Sequence, residues 1–471
     1  MKSNCKKIIR VTALLLALVM LVGCASTSKD ANQTIKALPK EESNAVSLDF
    51  LGGKDVMPIT GYFGPYINSY FVDGDHLADC VTDEFFQKIA DMGINLLTYC
   101  PTDYAIAPGV VRQILDLGEK YDVGVFVTDT NVTNKKGGRE VTKEEVAKEL
   151  INYYDHPAFC GMYVIDEPNG KDYIRSESQG MISDYANLVN VLQNDFNTLV
   201  YVNLLGAGEF ERNRTDYTKY VEEFCETLKP KVLMWDYYVY GDGNMDGYFW
   251  SLNLMRKQAE KYDIPFWSYI QAGGQWYEDD DYADGKYYPN EAEFTWNVNT
   301  ALAFGVQGIQ YFTAIQPSSF CWVNSDEGDF ERNGLIGAAG NVNQWYHYAK
   351  NINTHIAAID EVLMNSVNKG IIVSGNTKKT ELDTVEYIIK SGQFQELQDV
   401  SGDAMIGCMN YHGKTALYVV NYSTEYAQHI TLNFNETQNI RQIQNAETSY
   451  VKAKNLTLDM AAGEGILLVL E

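Results

Sequence analysis

Residues 82–100 read TDEFFQKIADMGINLLTYC. Apolar side chains at Phe85, Phe86 and Ile89 recur at helical spacing, and Gly93 stops the helix. A short apolar run, 94–100, then reads as a strand that ends in Tyr99. The same unit recurs along the chain. Eight strand-like runs stand at 57–66, 94–100, 123–131, 159–169, 198–206, 232–241, 265–274 and 308–317. Helical patterns lie between them, at 82–92, 108–121, 142–154 and 291–304 among others. Strict strand–helix alternation means parallel strands joined by crossovers. Eight such units predict a closed (β/α)8 barrel over 51–365. A doubly wound open sheet is disfavoured, because no GxGxxG follows the first strand.

A last helix at 341–363 closes the barrel, and the grammar then changes. From 368 onward the chain alternates short apolar runs with polar turns: GIIVSG, VEYIIKSG, AMIGCMNY, TALYVVNYS, HITLNF, GILLVLE. This predicts an all-β sandwich over 366–471, expected to support the barrel structurally.

The N-terminus carries a basic stretch, an apolar run and Leu21-Val22-Gly23-Cys24. It looks like a bacterial lipoprotein signal, with 1–23 removed and Cys24 lipidated. Residues 24–50 are polar and small, and read as a tether. The expected location is therefore outside the cytoplasm, with the membrane touched only through the lipid.

The 471 residues carry a formal net charge of −26. Cleaving 1–23 removes four cations and no acid. Nucleic acid and anionic membrane surfaces need a basic footprint, so neither is an expected partner. Apolar residues at 45% and charged residues at 21% describe a folded protein rather than a disordered one. Beyond Cys5 and Cys24, the cysteines are Cys80, Cys100, Cys160, Cys225, Cys321 and Cys408, and none forms a CxxC pair. They read as buried thiols, with no zinc site, no other metal and no cofactor. The acidic run 278–284 reads as a solvated loop rather than a calcium loop. No HExxH, P-loop or Ser-His-Asp order is present, which disfavours those hydrolase and nucleotide classes.

In barrels of this kind chemistry sits at the C-terminal ends of the strands. Strand 4 ends Ile165-Asp166-Glu167-Pro168-Asn169. Two adjacent carboxylates there are costly to hold unless they are paired or used. Adjacent strand residues point to opposite faces, so a bulge or turn must bring both to one site.

The span 57–363 resembles the glycoside hydrolase barrels of clan A, family 42 included. Those enzymes carry an acid/base Glu at the end of strand 4, commonly in an Asn-Glu-Pro triplet. The match is Asp166-Glu167-Pro168, which implies that Glu167 is the general acid/base and Asp166 its partner. The chain departs from the pattern at strand 7, where the nucleophile Glu belongs. That strand ends Tyr269-Ile270-Gln271-Ala272-Gly273-Gly274 and offers no carboxylate. The Asp-Glu pair is also similar to that of the N-acetylhexosaminidases of families 20 and 123. There the Asp orients the substrate's own 2-acetamido group as nucleophile.

The expected function is cleavage of O-glycosidic bonds in an extracellular glycan, possible by substrate assistance. The alternatives are a second carboxylate, Asp236 or a loop Glu, in a β-galactosidase-like enzyme, or a non-catalytic glycan-binding lipoprotein. Candidate substrate contacts are Tyr99, Asp129, Asn131, Asn203, Asp236, Tyr238, Tyr269, Gln271 and Trp276, short polar or aromatic side chains suited to hydroxyls and ring faces.

Overall fold

A computed structural model describes residues 55–67, 79–135, 137, 140–177, 179–207, 213–240, 245–276, 286–316, 334–337, 340–375 and 396–471. Cys24, its signal and tether, the 278–284 loop, Cys321 and the 385–392 run lie outside the described residues.

The alternation is realised as β1 Ile59–Tyr62, α1 Asp83–Asp91, β2 Leu96–Tyr99, α2 Pro108–Tyr121, β3 Gly124–Thr128, α3 Thr130–Thr133, α4 Lys143–Leu150 and β4 Phe159–Asp166. It continues with α5 Ile182–Asp195, β5 Leu199–Leu204, α6 Arg214–Leu228, β6 Leu233–Trp235, α7 Met245–Tyr262 and β7 Phe266–Gln271. A small ladder, β8 Gln275–Trp276 with β9 Lys286–Tyr287, precedes α8 Glu291–Ala303, β10 Ile309–Phe312 and α9 Gln344–Met364. Eight parallel strands close in the order β1-β10-β7-β6-β5-β4-β3-β2. The barrel expected from the alternation is therefore the fold.

Local chemistry sets the ends of these elements. Thr82 caps α1 by accepting the Phe85 N–H. Thr142 with Glu145 and Asn290 with Glu293 form reciprocal capping boxes on α4 and α8. One irregularity matters for the mouth. The β4–β5 register slips between Tyr163 and Ile165, a bulge at Val164. Tyr163 still opposes Tyr201, yet Asp166 opposes Asn203. Residues three apart on β4 thus share the inner face, which plain alternation forbids.

The C-terminal strands are β11 Ser366–Ser374, β12 Leu397–Ser401, β13 Ala404–Tyr411, β14 Lys414–Asn421, β15 Gln428–Gln444, β16 Glu447–Met460 and β17 Gly465–Leu470. They pair antiparallel in the order β11-β13-β14-β17-β15-β12, with β16 along β15. The first half of β15 pairs with β12 and its second half with β17, so the sheet folds over on itself as a sandwich. Leu417 and Val419 of β14 point into the sandwich core, together with Ile406, Ile430, Leu432 and Leu468. Ala416, Tyr418 and Val420 alternate with them and join the barrel's core. Helix α8 lies between, and its residues from Trp296 to Ala303 are buried on all sides.

Candidate active site

Asp166 ends β4 at the barrel mouth. Its Oδ2 accepts from the Tyr62 hydroxyl at 3.0 Å. Its Oδ1 accepts from Tyr201 at 3.2 Å and from Asn203 Nδ2 at 3.0 Å. Tyr62 and Tyr201 have phenol neighbours of their own: Tyr163 lies 3.4 Å from Tyr62, and Tyr269 lies 2.6 Å from Tyr201, oxygen to oxygen. A phenol carries one proton. Since Tyr62 and Tyr201 give theirs to Asp166, Tyr163 and Tyr269 must be the donors in the outer pairs. The protons of four tyrosines therefore point, directly or in relay, at one carboxylate. A carboxylate has about four acceptor positions. Among the described residues three are filled, two on Oδ1 and one on Oδ2, so Oδ2 keeps one.

Burial pushes the Asp166 carboxyl above its usual range, and the bonds from Asn203, Tyr62 and Tyr201 pull the other way, as does the charge of Arg175. The same burial, with the Asp166 charge beside them, lifts the phenols of Tyr62, Tyr163, Tyr201 and Tyr269 well above their usual value. These rings pack into one wall. Tyr62 is its hub, 5.0 Å from Tyr99, 5.8 Å from Tyr201 and Tyr269, and 5.7 Å from Phe312, centroid to centroid. Tyr238 extends the wall, 5.3 Å from Phe312 and 6.4 Å from Tyr269.

Glu167 follows Asp166 with φ of 49°, a left-handed conformation that turns the chain sharply off the strand. Its N–H donates to the Asn203 carbonyl. Its carboxylate forms an ion pair with Arg175, and the two side chains are 16% and 40% exposed. The loop carrying Arg175 hangs from Asn169, which is buried, and from Gln179, which is half-buried. Asn169 donates to the carbonyls of Ser176 and Gln179 and accepts from the Arg175 N–H at 2.8 Å. Gln179 in turn donates to the carbonyls of Asp166 and Glu167. Tyr220 donates to the Pro168 carbonyl at 2.7 Å.

The other expected residues divide into two groups. Tyr99, Asn203, Tyr238 and Tyr269 join the wall or hold Asp166. Gln271 stands at the end of β7, 1% exposed. Its amide donates to the carbonyls of Gly273 and Tyr287, tying the strand to the β8–β9 ladder. The amide oxygens of Gln271 and Asn203 are buried with no partner among the described residues. Asp236, just past β6, is buried, with its backbone carbonyl close against Gly206. Asp129 lies elsewhere: it caps α3 through the Asn131 N–H and accepts from Tyr153 at 2.9 Å, so both oxygens are engaged in structure. Asn131 is an exposed residue of α3. The side chain of Trp276 lies outside the described residues.

Tyr62, Tyr163, Tyr201, Phe312 and Arg175 complete the mouth without having been singled out in the sequence. Tyr201 and Phe312 were findable, since each has the parity of a neighbouring inward residue, Asn203 or Gln310. Tyr163 was not, because only the bulge puts it on the same face as Asp166.

No protein-family model and no curated protein sequence matches this chain. Solved structures do match its fold. A catalytic mutant of Gan42B, a family 42 β-galactosidase from G. stearothermophilus, aligns with a TM-score of 0.55 at 9% identity, over 91% of this chain and 98% of that one. A family 27 β-L-arabinopyranosidase from Geobacillus stearothermophilus aligns at 0.44 and 10% identity, over 90% and 98%. A family 51 α-L-arabinofuranosidase from Bifidobacterium longum aligns at 0.44 and 10%, over 91% and 99%. Identities this low are a likeness of fold.

Proposed function

We propose that this chain is a glycoside hydrolase whose reaction centre is the Asp166–Glu167 pair. The observation that carries the reading is the convergence of phenol protons on Asp166, which among the described residues leaves one acceptor position on Oδ2 at the barrel mouth beside Glu167. The clan A resemblance of the Asp-Glu-Pro triplet supports it.

Gln271 supplies no nucleophile at β7, and substrate assistance needs none. In this mechanism the free position on Oδ2 accepts the N–H of a 2-acetamido group and holds its carbonyl oxygen against the anomeric carbon. That oxygen attacks as the glycosidic C–O bond breaks, and Glu167 gives its proton to the departing oxygen. Water then opens the cyclic intermediate, with Glu167 taking the water's proton back. Arg175 pairs with the Glu167 carboxylate. The guanidinium must withdraw before Glu167 can carry the proton for the first step. We further propose that the enzyme works outside the membrane, tethered through a lipid on Cys24.

A second reading is favoured by the buried neutral amide of Gln271: a barrel that binds glycan without cleaving it. A chromogenic panel separates the two, with β-N-acetylhexosaminides beside β-galactosides, β-glucosides and β-mannosides. Release from acetamido sugars alone is expected. Release from sugars with a plain 2-hydroxyl would move the search to Asp236 and the loop acids, and retention without release would leave a binder. Glu167→Gln should lower turnover by roughly 10²–10⁴-fold with the far-UV and thermal signatures of the fold unchanged. Full activity in that variant removes Glu167 from the mechanism.

A further inference from the structure

The Arg175 guanidinium sits on Oε2 of Glu167, the side chain that must give a proton to the departing sugar. An oxygen held in an ion pair cannot offer that proton, so the guanidinium needs a second place to bind. Its surroundings show what kind. The Arg175 side chain is more exposed than that of Glu167, 40% against 16%, so it stands on the solvent side of the acid. Its charge is nonetheless felt at Asp166, which keeps it close over the pair. The side chain can swing while its backbone stays put: Asn169 Oδ1 holds the Arg175 N–H at 2.8 Å, and Tyr220 holds the Pro168 carbonyl at 2.7 Å. A guanidinium carries five N–H donors in a planar fork. Among the described residues Glu167 is its one partner, so most of those donors are unused.

The place of the pair decides which part of a substrate meets it. Glu167 serves the oxygen of the sugar that leaves, and Asp166 holds the sugar that is attacked. A group outside Glu167 therefore meets the leaving sugar. Water or a hydroxyl can accept from the guanidinium, but neither brings a charge to replace the carboxylate. An oxyanion replaces it like for like, in the same forked geometry. The chain's net charge of −26 repels anions at long range, so an anionic ligand needs a local cation, and Arg175 supplies one.

We propose that Arg175 selects substrates whose leaving sugar carries an oxyanion, a hexuronate carboxylate or a sulfate ester, and that this oxyanion draws the guanidinium off Glu167. With a 2-acetamido group on the attacked sugar, the substrate class is an N-acetylhexosamine linked to an acidic sugar. The assignment rests on the glycosidase reading, and the test separates the two.

The probes are disaccharides with N-acetylglucosamine β-1,4-linked to glucuronate, to glucose 6-sulfate or to glucose. Binding is measured by titration calorimetry on Glu167→Gln, which holds them without turnover. At least one acidic probe should bind about tenfold or more tighter than the neutral one, and which one it is distinguishes carboxylate from sulfate. Adding Arg175→Gln should bring the ratio to within about twofold, and Arg175→Lys should keep part of it. In the parent protein the preferred probe should also show the higher kcat/KM. Equal binding of all probes, binding by none, or a preference that survives Arg175→Gln overturns the proposal, as do equal kcat/KM values. An Arg175-dependent preference in a protein that hydrolyses neither these probes nor the chromogenic panel counts against the glycosidase reading alone. Hydrolysis of the chromogenic panel with equal binding of all probes counts against the role of Arg175 alone.

Discussion

Asp166 is where burial and hydrogen bonding pull in opposite directions, and burial prevails. Between the ordinary carboxylate range and the raised folded value, the folded protein keeps a proton that the unfolded chain has released. Stability from this group therefore falls as pH rises through that window. Asp166→Asn removes the titration, so its melting temperature should gain on the parent as pH increases from 4 to 7. Parallel melting curves across that range would contradict the direction of the shift. Arg175 makes a separate prediction. Arg175→Gln removes the ion-pair partner that must withdraw before Glu167 can donate, so kcat on chromogenic substrates should change by roughly tenfold or more while the fold's melting temperature stays close to the parent's. An unchanged kcat would mean that the pair plays no part in the proton transfer. The two carboxylates were legible in the sequence because acids after an apolar strand are conspicuous. Arg175 was not, because it lies in an irregular loop held by Asn169 and Gln179, whose contacts no local pattern encodes.

Elements whose apolar signal is local and strong are legible, whether one face is buried, as in α2, or both, as in β13. Helix α2 begins at Pro108 and ends at Tyr121 as its apolar spacing requires, and β13 matches its apolar run at both ends. Elements whose partners lie far away in sequence were read less well. β16 was not anticipated, because much of its length is exposed and its alternation is dilute. β15 was anticipated only to Phe434, and it runs on to Gln444 because β17 gives its second half a partner. The loop after β4 yields a test at this scale. Asn169→Ala strips two donors and an acceptor from the partly buried backbone of the loop, and should cost about 2 kcal/mol in denaturant unfolding. It should also reproduce the change in kcat of Arg175→Gln, since nothing else described holds the Arg175 backbone.

The barrel and the sandwich share a core through α8, whose residues from Trp296 to Ala303 are all buried. A single calorimetric transition is expected for both. Gly407 sharpens the prediction: a Cβ there would collide with the backbone carbonyl of Ala303. Gly407→Ala should lower that transition, by roughly 1–3 kcal/mol, and not split it. Two resolved transitions would show that the halves unfold separately. The closure of the barrel has a consequence in time as well. β1 pairs with β10, so Ile59 waits for Ile309. At ordinary rates of translation the interval is roughly 10–50 s. Until then the nascent chain exposes an unpaired parallel edge, open to any passing strand. The barrel's first strand among the described residues is among the last to be sealed, and it carries Tyr62.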